Sequence, residues 1–328
     1  MKITMAHGSG GKATSELIAG IFAKHFDNPV LARMEDSAVV PGAATIAMTT
    51  DSFVVTPLFF AGGDIGRLSV CGTVNDLAMS GATPKYLTCG FILEEGADTE
   101  ELEKIVASMA QTAAEAGVTI VAGDTKVVEG KGGIYINTSG VGFLPNGGIV
   151  SSANCAQGDV VLLSGNLGDH HAAILSARMS ISNTIVSDCA PLNGIVSALL
   201  KDNVKVKAMR DVTRGGLATV LNEFASASQC CISLHEDRIP VSDQVRGFCG
   251  ILGLDPLYMG NEGKMVAVVA KEDAQKALQC MQGSQYGENA AVIGEVIAGE
   301  AGTLLLKTDI GGIRILTELY GEGLPRIC

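Results

Sequence analysis

The chain has 328 residues, 47% of them hydrophobic, and a formal net charge of −12 at neutral pH. That length allows two domains with cores of their own, and no apolar run approaches the ~18 residues of a membrane span. The acidic balance, unbroken by any basic block, and the 4% aromatic content without tryptophan argue against nucleic acid as the main ligand.

Nine cysteines, odd in number and without a C-x-x-C pair, suit a reducing compartment rather than a disulfide framework or a zinc site. The opening MKITMAHGSGGK lacks the apolar core of a secretion signal, so a cytoplasmic location is expected. The 41 glycines exceed the usual ~7% and gather beside Ser, Asp and Lys, as anion-cradling turns require.

His7-Gly8-Ser9-Gly10-Gly11-Lys12 comes first. Its amides can turn inward on phosphate oxygens while Lys12 adds a point charge, although the Walker spacing is absent and a plain leader has the same composition. A short helix over 15–25 follows, then Glu35-Asp36-Ser37 ahead of an apolar Ala38-Val39-Val40. Residues 46–51 read as a strand that delivers Asp51 at its tip.

After Gly62-Gly63 a helix is expected, with Asp64 as N-cap and Pro84 forbidding continuation past Gly81. Plotted at 100° per residue, Val70, Val74 and Leu77 share one arc. Ser69, Gly72, Thr73, Asp76 and Ser80 fall on the other. A face trimmed of bulk around one acid admits a large anion with a cation between, or it is simply a face packed closely on a neighbour.

A strand over 86–93, a helix over 99–116 and a strand over 118–122 come next. The last of these ends in Gly123-Asp124-Thr125-Lys126, and a further strand covers 134–143. Such alternation indicates an α/β fold, an α+β sandwich, rather than an all-β one. The polar, turn-rich stretch 144–158 divides the chain. An arm and helix over 1–34 and a first domain over 35–148 precede it; a second domain over 155–310 and a terminal segment over 311–328 follow. The second half repeats the logic: a strand over 159–163 runs into SGNLGD and a helix, 191–200 is helical, and a strand over 204–209 runs into RDVTRGG and a helix. Asn261-Glu262-Gly263-Lys264 precedes a strand over 265–270, a helix over 273–282 and strands over 291–296 and 303–307. His170-His171 are adjacent, so they point apart on a helix and read as packing rather than metal ligands. Gly321, Gly323 and Pro325 deny the last residues regular structure and suggest a flexible tail ending in Cys328, which is either incidental or the working end.

The acids Asp36, Asp51, Asp76, Asp124 and Asp211, each beside glycine or small residues, resemble the ATP-binding superfamily of aminoimidazole ribonucleotide synthetase, selenophosphate synthetase and thiamine monophosphate kinase. Within it the chain resembles the HypE family of hydrogenase maturation factors through HGSGGK, EDSAVV, the stretch TTDSF to PKYL, CGFILEEG, GDTKVV, DVTRGGL, NEGK and the closing PRIC. Together these span residues 7 to 328. Selenophosphate synthetases carry a reactive Cys or selenocysteine where this chain has Gly10-Gly11, and thiamine monophosphate kinases an aspartate where it has Arg214.

The resemblance implies a two-domain aminoimidazole ribonucleotide synthetase-like fold that pairs as a homodimer through its N-terminal domains. It implies ATP on His7, Gly8, Ser9, Gly10, Gly11, Lys12, Asp51, Gly63, Asn75, Asp76 and Asp124. Mg²⁺ is expected on Asp36, Asp51, Asp76, Asp124 and Asp211. Such proteins receive a carbamoyl group on the terminal cysteine, here Cys328, from the carbamoyltransferase HypF. They dehydrate it with ATP to a thiocyanate, and the cyanide passes to iron on the HypC–HypD scaffold. Lys126 and Arg214 would balance charge on the phosphorylated intermediate, and Glu262 would act as base. Two other readings are a small-molecule synthetase or kinase of the superfamily, and a non-catalytic carrier gated by nucleotide.

Overall fold

The computed structural model describes residues 1–9, 11–144 and 150–318. In the first half, α1 (Lys12–Leu17) widens into a π-helical stretch over Ile18–Ala23 and leads to β1 (Ile46–Phe53). The two-residue strands β2 (Phe59–Phe60) and β3 (Gly63–Asp64) turn the chain into α2 (Ile65–Met79). Then come β4 (Thr83–Glu94), α3 (Thr99–Ala116), β5 (Thr119–Val128) and β6 (Ile134–Phe143). The long strands form one sheet in the order β1-β6-β4-β5, antiparallel except for β4 and β5, which the α3 crossover joins in parallel. Leu87, Phe91 and Leu93 of β4 pack against Leu68 and Val74 of α2 and Ile105 and Met109 of α3. The opposite face of the sheet exposes Thr50, Ser52, Ile92, Asp124 and Lys126.

The second half contains β7 (Val160–Leu163), α4 (Asp169–Arg178), α5 (Asn193–Lys201), β8 (Val206–Asp211), α6 (Gly216–Ser228), β9 (Cys231–His235) and α7 (Asp243–Leu252). It closes with β10 (Met265–Val269), α8 (Ala274–Gln282), β11 (Ala291–Ile297), β12 (Thr303–Lys307) and β13 (Ile313–Leu316). Its seven strands run in the order β13-β12-β9-β11-β7-β10-β8. Leu217, Leu221 and Phe224 of α6 cover one face, and Ile195 and Leu199 of α5 with Ala277 and Met281 of α8 cover the other. Covered on both sides, β10 is apolar throughout and every residue in it is buried. Among the described residues no helix is long and apolar enough to cross a membrane.

Asp64 caps α2 as expected, its Oδ1 accepting from the amides of Gly66 at 2.7 Å and Arg67 at 3.1 Å. The two-faced pattern of α2, however, has no solvent side: only Arg67 and Asp76 escape full burial. Its small residues let the sheet come close. A Cβ on Gly72 would stand 2.8 Å from the Phe53 ring, and one on Gly140 of β6 would stand 2.7 Å from Thr73. The strands also run past the expected acids. β1 continues to Phe53 and β5 to Val128, so Asp51 and Asp124 sit inside ladders opposite Thr138 and Gly90 rather than at strand tips. The second sheet likewise continues past residue 310 into β13.

Two glycines test this packing from opposite sides. At Gly263, before β10, a Cβ would fall 1.8 Å from the Asp188 carbonyl oxygen, whereas Gly247 in mid-α7 has nothing within 4 Å. Gly263→Ala should therefore destabilise the fold by roughly 1–3 kcal/mol through overpacking. Gly247→Ala should stabilise it by about 0.5–1 kcal/mol. Chemical-denaturation midpoints of the two variants should move in opposite directions.

Candidate active site

Where α2 meets the second half, Asp76 of α2, Asp51 of β1, Asp211 at the end of β8 and Glu262 in the turn before β10 converge electrostatically, with Arg214 on the loop after β8. Thr49 Oγ1 donates to Asp76 Oδ2 at 2.8 Å. Burial, and then the neighbouring Asp76 to which it is hydrogen-bonded, push the Asp51 carboxyl up to about 6, against the pull of Arg214. Asp211 is driven up to about 7, first by burial and next by Asp76. Glu262, 4% exposed, is held well above the usual carboxylate range by burial, then by Asp211, Asp188 and Asp51. Two exposed arginines, Arg214 and the Arg210 that acts on Asp211, do not neutralise this many acids, so the cluster has a standing affinity for protons or for a cation.

The turn that carries Glu262 is rigid. Asn261 accepts from the Gly168 amide at 2.7 Å and donates to the carbonyls of Val212 and Met259, both at 3.0 Å. The Glu262 amide donates to Asp188 Oδ1 at 3.0 Å. Asn75 is buried with its amide fully used: Nδ2 donates to Ala190 O at 3.1 Å and Oδ1 accepts from Leu192 N at 2.7 Å. Its side chain therefore clamps α2 to the second half.

The glycine arm lies elsewhere. Gly8 is pressed on β5, where a Cβ would come 2.8 Å from Val127 N, and buried His7 accepts from Thr4 N at 3.0 Å. Ser9, Gly11 and Lys12 continue from there, and Lys12 pairs with Glu16 at 3.6 Å. The outer face of β5 bears Asp124 and Lys126, ion-paired at 3.1 Å. Exposed Asp36 and Asp124 border a cavity of about 230 Å³ whose wall is mostly apolar, with Ile18, Phe22, Phe26 and Phe91 in it. Gly63 is half-buried in β3, just ahead of α2.

The expected residues thus form two groups and not one. Asp51, Asp76, Asp211, Glu262, Arg214 and Asn75 meet at the junction; Asp36, Asp124, Lys126 and the arm do not join them. Strand alternation is the reason: Asp51 faces α2, whereas Asp124 and Lys126 face outward, three strands away. Among the described residues no three His, Cys, Asp or Glu side chains stand close enough to encircle a metal ion, so the five acids expected to hold Mg²⁺ do not make one cage within the chain. The donor set at the junction nevertheless fits Mg²⁺. Asp51 and Asp76 are neighbouring oxygen donors, a divalent cation would displace the proton that Asp51 retains, and Mg²⁺ takes one or two carboxylates together with phosphate oxygens. Gly10 and Cys328 lie outside the described residues. His170 and His171 are core residues. His170 hydrogen-bonds with Ser187 Oγ at 2.7 Å, and burial pushes His171 down to about 4.

Residues 34–144 match the N-terminal domain of the AIR synthase related protein family, and 156–307 match its C-terminal domain. The carbamoyl dehydratase HypE of Cupriavidus necator is 50% identical over 333 residues, covering 100% of this chain and 95% of that protein. A crystal structure of HypE in complex with ATP superposes with a TM-score of 0.96 at 46% identity and 99% coverage of both chains. The chain belongs to the HypE family. A HypE–HypF complex also matches, at 48% identity and a TM-score of 0.81, over 92% of this chain and 99% of that one. Against this family frame, Asp188 and Asn261 are the junction residues that sequence reasoning passed over. Asn261 had a signal in NEGK, whereas Asp188 sits in an irregular stretch with none.

The raised carboxyls set a pH dependence. Between about pH 4 and 7 the unfolded chain has released protons that Asp51 and Asp211 retain in the fold, so stability falls as pH rises through that window. Asp169, driven up to about 6, adds to this fall, whereas His171, pushed down to about 4, opposes it below the ordinary histidine range without outweighing the three acids. Glu94 and Asp98, shifted downward, act below the window. Without divalent cation or nucleotide, the thermal midpoint should drop from pH 5 to pH 8, and Asp211→Asn should flatten that drop. An unchanged slope in Asp211→Asn would place the stored protons elsewhere.

Proposed function

We propose that this chain is an ATP-dependent carbamoyl dehydratase acting on its own Cys328, and that the junction cluster is where the dehydration occurs. The observation that carries the reading is the convergence of Asp51, Asp76, Asp211 and Glu262 at one buried junction. The printed activity of the HypE relatives adds the carbamoyl chemistry, and the ATP complex of one of them the nucleotide. Mg²⁺, held by Asp51 and Asp76 with Asp211 alongside, would neutralise charge on the ATP phosphates.

The carbamoyl oxygen of S-carbamoyl-Cys328 attacks the γ-phosphorus and ADP leaves. The phosphorylated oxygen is now a good leaving group. Loss of the N–H protons and departure of phosphate leave S–C≡N, so the atoms lost from the carbamoyl group amount to one water. Glu262 takes an N–H proton, and burial, followed by its acidic neighbours, raises its proton affinity above that of a free carboxylate. Arg214 balances the intermediate's charge.

Asp124 and Lys126 lie on the far side of the sheet from Asp51, and the glycine arm lies against β5, three strands away from β1, so they meet the same nucleotide only across an interface. A homodimer paired on the outer sheet face, where Met48, Ile92 and Val128 are exposed, would provide one. HypF would supply the carbamoyl group and HypC–HypD would receive the cyanide, in the cytoplasm.

Intact-mass analysis after incubation with HypF, its carbamoyl donor and ATP tests the reading. The tail should gain a carbamoyl group and then lose one water. Glu262→Gln should bind ATP but stop at the carbamoyl stage, and Asp76→Asn should abolish phosphate release with the fold intact. Thiocyanate from Cys328→Ala would overturn the reading.

A further inference from the structure

The end of β13 is tied to the turn that leads into Glu262. β13 ends at Leu316, and the next carbonyl, Thr317 O, accepts from the Tyr258 hydroxyl at 3.0 Å. Two residues before Leu316, Arg314 pairs with Asp255 at 3.4 Å. Both contacts tie the end of β13 to the single 3-10 turn Pro256–Tyr258, whose N-cap Asp255 accepts from Leu257 N at 3.0 Å.

That turn is seated on the loop carrying Arg214. At Gly216, φ +66°, a Cβ would meet Leu257 O at 2.5 Å and Tyr258 Cα at 2.8 Å, so the approach requires glycine in both conformation and space. From Tyr258 the chain reaches Glu262 in four residues, which span at most ~14 Å. Asn261, bonded to Met259 O and Val212 O, fixes that path. Thr317 is thus linked through Tyr258 to the turn that carries Glu262, although β13 is the outermost strand of its sheet. Residues 318–328 reach up to about 36–40 Å from there, well beyond the distance to Glu262.

We propose that Tyr258 is a positioning residue for the dehydration, its hydroxyl fixing the start of the tail so that the S-carbamoyl end is delivered to the Arg214–Glu262 loop. The proposal rests on the reading of Cys328 as the carbamoyl acceptor. A tethered group reacts at an effective concentration set by the length of its linker and by where that linker starts. Without the hydroxyl the Thr317 carbonyl is released, and the chain beyond the buried Leu316 loses its hydrogen bond to the 256–258 turn. Tyr258→Phe keeps the ring that packs against the α6 core and removes only the anchor.

The test uses the full-length protein, carbamoylated on Cys328 either by HypF or chemically by cyanate, whose addition across the S–H bond gives the same S-carbamoyl group. Under single turnover with saturating ATP, Tyr258→Phe should form thiocyanate two- to tenfold more slowly, the scale of one neutral hydrogen bond. The half-saturating ATP concentration, the rate of carbamoylation and the thermal midpoint should stay at wild-type values. A wild-type rate in Tyr258→Phe would overturn the proposal. So would a slowing matched by weakened ATP binding, because a structural defect moves both. Absence of thiocyanate from the wild type would remove the Cys328 reading and this proposal with it, and is told apart because no variant is needed to see it.

Discussion

The enclosure of α2 is the constraint on which the rest depends. Asn75 spends its whole amide on the second half and Arg67 Nε donates to Cys189 O at 2.8 Å, while the other side of the helix lies against β1 and β6. A buried side-chain amide left unpaired costs about 1–3 kcal/mol, so these bonds fix the register between the halves rather than merely tolerate it. Because α2 serves both cores, Asp76 cannot move away from Asp211 or Glu262 without disturbing one of them.

That rigidity keeps like charges together. Asp51, Asp76, Asp211 and Glu262 would separate if the elements bearing them were independent, and burial compounds their repulsion by disfavouring ionisation. The fold holds them in place, and Asp51, Asp211 and Glu262 respond by retaining protons at pH values where free acids have lost them. Such a site exchanges protons for a cation and its phosphate ligands without rebuilding the protein around them. Glycine performs the matching task in the backbone: at Gly216 and Gly263 it lets one strap lie directly on another, which places Tyr258 and Asp188 within reach of the Glu262 turn.

Much of this was legible in the sequence because the signals were local. The Asp64 cap, the Pro84 stop, the 134–143 strand and the acids beside glycines each follow from neighbours a few residues away. What was not legible depended on pairing between strands. Asp51 and Asp124 carry the same local signal, an acid on an apolar strand, yet alternation places them on opposite faces of one sheet. No sequence pattern states which face is which until the register with β6 and β4 is known. The same holds for the elements that went unread. Two glycines, Gly247 and Gly250, weaken the helical signal of α7, and Gly311-Gly312 immediately before β13 reads as a breaker rather than a hairpin turn. Asp188 and Tyr258 owe their places to contacts 74 and 59 residues distant along the chain.

The central claim is that the junction acids bring the γ-phosphate of ATP against the carbamoyl oxygen. Isotope tracing reads that bond-making directly. With S-carbamoyl-Cys328 labelled with ¹⁸O in the carbamoyl group and ATP unlabelled, the released phosphate should carry the label in proportion to the thiocyanate formed. Label appearing in water instead, with unlabelled phosphate, would mean that the oxygen leaves without passing through phosphorus and would contradict the account.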